Sequence, residues 1–329
     1  MLDTDLDILD RRLLGLAQRE FPLTRSPYAD LGRKLDMSGD EVMRRLGKLK
    51  SDGLLRQIGP IVDASRLGYR STLAAMKVDG AKLEDAVQVM TAHVGISHAY
   101  VRDNEYNVWF TLAVPQEAGI EAEVESIARD CGAASFMSLP AVKVFKLRTY
   151  FDMGGDSSIT GGVNGGVNLS SKRLELTRLE KIVINELQQD LPLSPAPFAA
   201  MASNLGMDEG GFLEACASLV RSGVIRRYGA SLDHNRAGYS GNVLTCWYAS
   251  PDSVDRAGRS LAAFKEVSHC YERKAPEGWK YNLFAMLHGR DRESCMEAIG
   301  RLSAACGLND YIALFTVREL KKTRIKYII

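Results

Sequence analysis

Two short strands of the sequence repeat the pattern His-x-Tyr-x-Arg: His98, Tyr100, Arg102, and again His269, Tyr271, Arg273. Residues two apart on a β-strand project from the same face, so each strand presents an imidazole, a phenol and a guanidinium side by side. The segment after each triplet carries Tyr106-Asn107-Val108-Trp109 and Tyr281-Asn282-Leu283-Phe284, which places Asn107 with Trp109, and Asn282 with Phe284, on one face. A face of this composition is costly to bury unless something polar pairs with it, so it predicts a ligand or an interface there. One isolated histidine is more often a core residue bonded to backbone. Here two of only five histidines occupy matching positions in the same triplet, which favours a binding role. No second His or Cys stands at ligand spacing in either copy, so a zinc site is not expected. His93 at a helix end and His288 at a strand end receive no role.

The elements that carry the triplets come in two copies. QIGPIVDASRLGY (57–69) answers RYGASLDHNRAGY (227–239), SHAYVRDNEYNVWF answers SHCYERKAPEGWKYNLF, and CGAASFMSLPAVKVFK answers CGLNDYIALFTVRELK, always in the same order. Residues 153–171 contain six glycines among small and polar residues and read as a flexible linker, reaching roughly 25 Å as a random coil, enough for the halves to pair. Each copy opens with three helical patterns, the last two forming a helix-turn-helix, with Ser38 and Glu41 as a capping box and Gly53 as a C-cap. Leu54–Ile58 and Pro60–Asp63 suggest a small two-stranded wing. A β-α-β-β-α-β order follows. The expected fold is α+β: two tandem copies of a winged helix-turn-helix followed by a ferredoxin-like domain, spanning 1–64, 65–152, 172–234 and 235–329, with the halves pairing through their sheets and a homodimer of chains left open.

With 329 residues, 46% apolar and 25% charged, the chain has an ordinary globular composition and room for several cores. The balance of 42 Lys+Arg against 41 Asp+Glu offers no global attraction to nucleic acid. Six cysteines without a C-x-x-C pair, and no signal-peptide pattern, point to reduced thiols in a cytoplasmic protein; no apolar run is long enough to span a membrane.

A helix-turn-helix ahead of a ferredoxin-like domain resembles the Lrp/AsnC transcription factors. DNA reading requires two equivalent recognition helices with cations at their N-terminal ends. The first begins Ser38-Gly39-Asp40-Glu41 before Arg44, Arg45, Lys48 and Lys50; the second carries Asp208, Glu209 and Glu214 with no cation before Arg221. DNA binding is therefore not expected, and the winged helices read as packing elements.

The combination of PYADLGRKLDMSGDEVMRRLGKLKSDGLLRQIG, DASRLGYRSTLAAMKV and SHAYVRDNEYNVWFTLAV more specifically resembles the siroheme decarboxylases, an Lrp/AsnC-like group of enzymes, with the second half similar to their partner subunit. The resemblance covers both halves but not the linker; the alternative it leaves is an Lrp/AsnC-type DNA-binding regulator that senses a tetrapyrrole through the same pocket. It implies a natural fusion of the two subunits that removes two acetate carboxylates of siroheme as carbon dioxide, giving 12,18-didecarboxysiroheme, in heme d1 or alternative heme synthesis. Siroheme and its products would be the partners, with no cofactor beyond the substrate's iron and no Gly-rich phosphate loop, Schiff-base lysine or flavin motif to suggest one. His98 and His269 would donate the protons that replace the carboxylates, one of them also contacting the iron axially. Arg102 and Arg273 would hold carboxylates, Tyr100 and Tyr271 orient the imidazoles, and Trp109 and Phe284 wall the macrocycle. Asn107 and Asn282 join the pocket strands. Rim candidates are Arg66, Arg70, Lys143 and Arg148 in the first half and Arg226, Arg227, Arg236 and Arg318 in the second, each equally readable as a solvated surface charge. His234 is a one-sided candidate. The segment 275–280, inserted only in the second copy, predicts a longer hairpin loop able to cover a site.

Overall fold

Local sequence signals explain where the helices begin. The computed structural model describes residues 6–147, 172–232 and 241–329; the expected linker, Arg148, His234 and Arg236 lie outside them. Asp7 caps α1 (Ile8–Arg19), Pro27 opens α2 (Pro27–Arg33), and the Ser38 hydroxyl accepts the Glu41 amide at 3.1 Å to start α3 (Gly39–Ser51). The Glu41 carboxylate does not complete a capping box, because Arg44 and Arg45 engage it. Gly53, at φ +73°, ends the helix in the left-handed region expected of a C-cap glycine.

The first copy continues through β1 (Leu55–Val62), β2 (Tyr69–Lys77), α4 (Leu83–Ala92), β3 (Ile96–Arg102), β4 (Val108–Pro115), α5 (Ile120–Asp130) and β5 (Ser135–Leu147). The second repeats the order as α6 (Arg178–Leu187), α7 (Pro197–Asn204), α8 (Glu209–Arg221), β6 (Ile225–Leu232), β7 (Gly241–Trp247), α9 (Val254–Ala263), β8 (Val267–Arg273), β9 (Leu283–Gly289), α10 (Arg292–Cys306) and β10 (Tyr311–Lys322). Within each half the sheet order, β3-β4-β2-β5 and β8-β9-β7-β10, is that of a ferredoxin-like domain.

The wing departs from expectation. Residues 54–63 do not fold back as a hairpin; β1 runs straight through Gly59-Pro60 and pairs antiparallel with β6 of the other copy, Gly59 opposite Gly229. A two-stranded ribbon leaves one edge of each strand unpaired, which accommodates the missing amide of Pro60. Gly229 permits α1 to lie flush on β6, since a Cβ there would come within 2.7 Å of the Gln18 carbonyl. Both winged-helix units consequently share one apolar core, with Leu13, Leu31 and Leu46 packed in the same cluster as Ile184, Phe198 and Phe212.

The two sheets are also joined. The long final strands cross over: β5 pairs with β2 of its own sheet and β8 of the other, and β10 with β7 and β3, closing an eight-stranded barrel without free edges. One apolar core lies outside the first sheet beneath α4 and α5, another outside the second beneath α9 and α10, and a third, including Trp109, Met137, Cys246, Phe284 and Leu314, fills the barrel between them. Phe145 of β5 inserts into the second copy's outer core, where Gly258 of α9 leaves room: a Cβ would meet the ring at 2.3 Å. Burying a ring of this size contributes about 2 kcal/mol to holding the halves together. All six cysteines carry free thiols, and among the described residues no helix is long and apolar enough to cross a membrane.

Candidate functional site

Alternation on the barrel strands sets the direction of both triplets. In β4, Val108, Phe110 and Leu112 lie in the core beneath the first copy's helices, so Trp109 faces the barrel interior; Tyr100 stands opposite Trp109, and His98 opposite Thr111. The second copy repeats this, Tyr271 opposite Phe284 and His269 opposite Met286. His98, Tyr100 and Arg102 thus line the interior from one sheet and His269, Tyr271 and Arg273 from the other.

The two arginines face the barrel interior from opposite sheets, each near enough to the buried Cys246 thiol for its charge to act on it. Arg102 donates from Nη1 to the Leu314 carbonyl at 2.8 Å and Arg273 from Nη1 to the Leu139 carbonyl at 2.7 Å, each bond reaching a strand of the opposite copy. Their rings are matched too, with Arg102 at 5.3 Å from the Tyr100 centroid and Arg273 at 4.7 Å from that of Tyr271. Neither pairs with a carboxylate among the described residues, and Nε of each is buried without a hydrogen-bond partner. The nearby Asp103 is engaged by Arg292 at 2.8 Å and by the Phe315 amide. Burial pushes both arginines down to about 10. Two desolvated cations with spare donors form a receptor for carboxylates.

Each histidine is held by the serine before it, His98 Nδ1 lying 2.8 Å from Ser97 Oγ and His269 Nδ1 2.9 Å from Ser268 Oγ. Burial, followed by the charges of Arg273 and Lys146, pushes the His269 imidazole down to about 4. This corrects the expectation of a near-neutral pKa for that residue: His269 is a neutral imidazole at pH 7, a base rather than a resting acid.

Several sequence-derived candidates lie elsewhere. Asn107 and Asn282 are framework residues: Asn107 accepts the Val78 amide at 2.9 Å and donates to the Val78 carbonyl at 2.8 Å, and Asn282 binds Ala249 identically, so neither amide is available to a ligand. Trp109 and Phe284, each 1% exposed, are packed inside the barrel core and support the tyrosines and arginines instead of presenting a wall. Lys143 points to the outer layer and pairs with Asp255 in the first turn of α9. Arg226 sits on the wing ribbon, held by Asp63 of the first copy at 2.7 Å, yet close enough for its charge to reach the Tyr271 phenol. Its neighbour Arg227 points to the other face of the ribbon, beside Arg324. Arg318 pairs with Glu84 and Arg66 binds the Ser222 carbonyl.

The inserted hairpin does reach across. Trp279 packs 5.8 Å from Trp109 and 6.0 Å from Tyr106 of the first copy, forming with Tyr281 an aromatic cover over that end of the barrel, next to a cleft of about 540 Å³ between residues 104–106 and 278–281. Sequence reasoning missed His288, which approaches Ser268 Oγ at 3.0 Å; its even spacing from Phe284 would have placed it on the inner face.

Winged helices fused to paired ferredoxin-like sheets with a cationic interior define a ligand-binding protein of the AsnC type, and the AsnC-like ligand binding domain model matches residues 66–146 and 236–321. The siroheme decarboxylase NirDL-like HTH domain model matches 10–56 and 180–226. Siroheme decarboxylase from Hydrogenobacter thermophilus is 37% identical over 317 residues, covering 96% of this chain and 94% of that protein. The siroheme decarboxylase alpha subunit of Desulfovibrio desulfuricans is 39% identical over 46% of this chain and 88% of its own length, so one separate subunit corresponds to about half of the fusion. A crystal structure of the siroheme decarboxylase NirDL in complex with an iron-uroporphyrin III analogue superposes with a TM-score of 0.75 at 33% identity, covering 98% of this chain and 95% of that one. The chain belongs to the siroheme decarboxylases of the NirDL type.

Proposed function

We propose that the chain is a cytoplasmic carbon–carbon lyase that converts siroheme to 12,18-didecarboxysiroheme, with no cofactor beyond the substrate's own iron, on a route toward heme d1 or another heme. The observation that carries this reading is the pair of guanidiniums, the buried Arg102 and the half-buried Arg273, facing one barrel from its two sheets without a carboxylate partner among the described residues. A macrocycle bearing many carboxylates supplies what they lack, and the relative with an iron-uroporphyrin III analogue bound supports a tetrapyrrole in this family's fold.

In each step the bond between an acetate methylene and its carboxylate breaks and carbon dioxide leaves. The electron pair stays on the methylene carbon, conjugated to the ring, and a proton completes the methyl group. Two carbon dioxide molecules depart and two protons enter, with no net oxidation. Arg102 and Arg273 hold carboxylates in a place poor in water, where loss of charge is favoured. His98 and His269 deliver the protons. A bound carboxylate cancels the Arg273 charge that helps depress His269, so substrate itself raises that imidazole toward the range where it can carry a proton. As a neutral imidazole, His269 also suits axial contact with the substrate's iron.

The winged helices support an enzyme over a DNA-binding regulator. Of the cations on α3, Arg44 is paired with Glu41, Arg45 with Asp7, Asp10 and Glu41, and Lys50 with Asp190, leaving little charge for phosphate. The test is anaerobic incubation of the purified protein with siroheme, read by mass spectrometry beside His98→Ala and His269→Ala. The expected result is loss of two carbon dioxide masses that fails in the variants. Siroheme that binds, shifts its absorbance and returns unchanged would overturn the enzyme in favour of a sensor.

A further inference from the structure

The two histidines of the barrel are wired differently. Behind His98 on that strand stands Ser97, and the β2–β4 pair two residues further along places Ser71 opposite Ala113. The equivalent β7–β9 pair of the second copy places Asn242 opposite His288, and these two side chains continue the Ser268–His269 contact into a chain: Asn242 Oδ1 to His288 Nδ1, His288 Nε2 to Ser268 Oγ at 3.0 Å, Ser268 Oγ to His269 Nδ1 at 2.9 Å.

The direction of this chain follows from counting protons. Asn242 Oδ1 only accepts, so His288 carries its hydrogen on Nδ1 and offers a lone pair at Nε2. The Ser268 hydroxyl has one hydrogen, for which His288 Nε2 and the Met286 carbonyl, at 3.1 Å, are the acceptors. In either case the Ser268 oxygen is left to accept, and His269 donates to it from Nδ1. A neutral His269 is thereby held as the Nδ1–H tautomer, with its lone pair on Nε2, at the end of the ring away from Ser268.

We infer that His288 is a positioning residue that, through Ser268, fixes the tautomer and orientation of His269 and presets this histidine to offer an Nε2 lone pair to the substrate. The first copy has alanine, Ala113, at the position that matches His288. The kinetic part of this inference rests on the proposed decarboxylation; the tautomer part does not.

The experiment compares His288→Ala with His288→Gln, whose amide oxygen accepts the Ser268 proton while its NH2 donates to Asn242, preserving the direction of the chain. Long-range nitrogen NMR of the ligand-free protein labelled in its histidines, assigned with His269→Gln, reads the tautomer. The expected spectrum shows His269 protonated on Nδ1 in the parent and His288→Gln, and mixed between nitrogens in His288→Ala. In steady-state turnover of siroheme, kcat of His288→Ala falls about 10- to 100-fold, the range for outer partners of a ligating or catalytic histidine. KM stays within about twofold, and His288→Gln recovers most of the rate. An unchanged His269 tautomer in a folded His288→Ala protein overturns the inference, as does equal loss in both variants. Were the parent itself inactive on siroheme, the proposed reaction would fall while the NMR comparison still decided the positioning role.

Discussion

Replacing Arg273 by methionine separates a residue kept for the fold from one kept for a ligand. Pushed down to about 10 against roughly 12.5 for a solvated arginine, the guanidinium carries about 3 kcal/mol of desolvation in its charged form. Its bond to the Leu139 carbonyl at 2.7 Å returns about 2 kcal/mol, and its seat over Tyr271 and Phe284 about 1 kcal/mol. These contributions nearly cancel. Methionine, of similar length and apolar, removes the desolvation together with the contacts, so urea denaturation of the ligand-free protein at pH 7 should place Arg273→Met within about 1 kcal/mol of the parent. Binding responds differently. A carboxylate that loses a desolvated cation loses about 2–3 kcal/mol, a roughly 30- to 150-fold rise in Kd in an anaerobic absorbance titration with siroheme. A variant destabilised by more than about 3 kcal/mol whose siroheme affinity is unchanged would refute the reasoning, since the guanidinium would then be a structural strut.

Two further outcomes follow from the geometry. Asn107→Ala leaves both backbone groups of Val78 without their side-chain partner and should destabilise the protein by about 2–4 kcal/mol in thermal or urea unfolding, whereas full stability with lost siroheme binding would return the amide to the site. His269, held at about 4 in the fold against roughly 6.5 in the unfolded chain, stays neutral when the unfolded state takes up a proton; its contribution is intact above about pH 6.5 and falls as pH drops toward 4, with about 2 kcal/mol lost by pH 5. Denaturation midpoints at pH 7 and pH 5 should therefore differ more in the parent than in His269→Gln, and equal differences would contradict the buried, neutral state.

The repeat, the β-α-β-β-α-β order and the inward triplets were legible because they rest on short-range signals: apolar periodicity, capping residues and alternation along a strand. The exchange of β5 and β10 between sheets was not, since pairing partners across copies depend on strand length and twist that no local pattern encodes. The same reason turned a straight β1, paired with β6, into an expected hairpin: Gly59-Pro60 carries turn chemistry, and only the opposing Gly229 makes it a strand interior. Alternation misled at Asn107, which precedes the first residue of β4 and folds its amide back onto Val78 rather than along the strand face. Burial also reversed the protonation expected of His269, an effect of surroundings assembled from both halves.

In a homodimer built on this plan every substitution is made twice, once at each symmetry-related position, and a residue useful on one side must be tolerated on the other. Joining both copies in one chain removes that obligation. His288 opposite Asn242 in one sheet and Ala113 opposite Ser71 in the other, and a tryptophan-bearing loop on one side only, are divisions of labour that symmetry would forbid. A barrel closed by exchanged strands keeps such unequal halves in fixed register, so a macrocycle whose own edges differ can be met by a different set of groups along each edge.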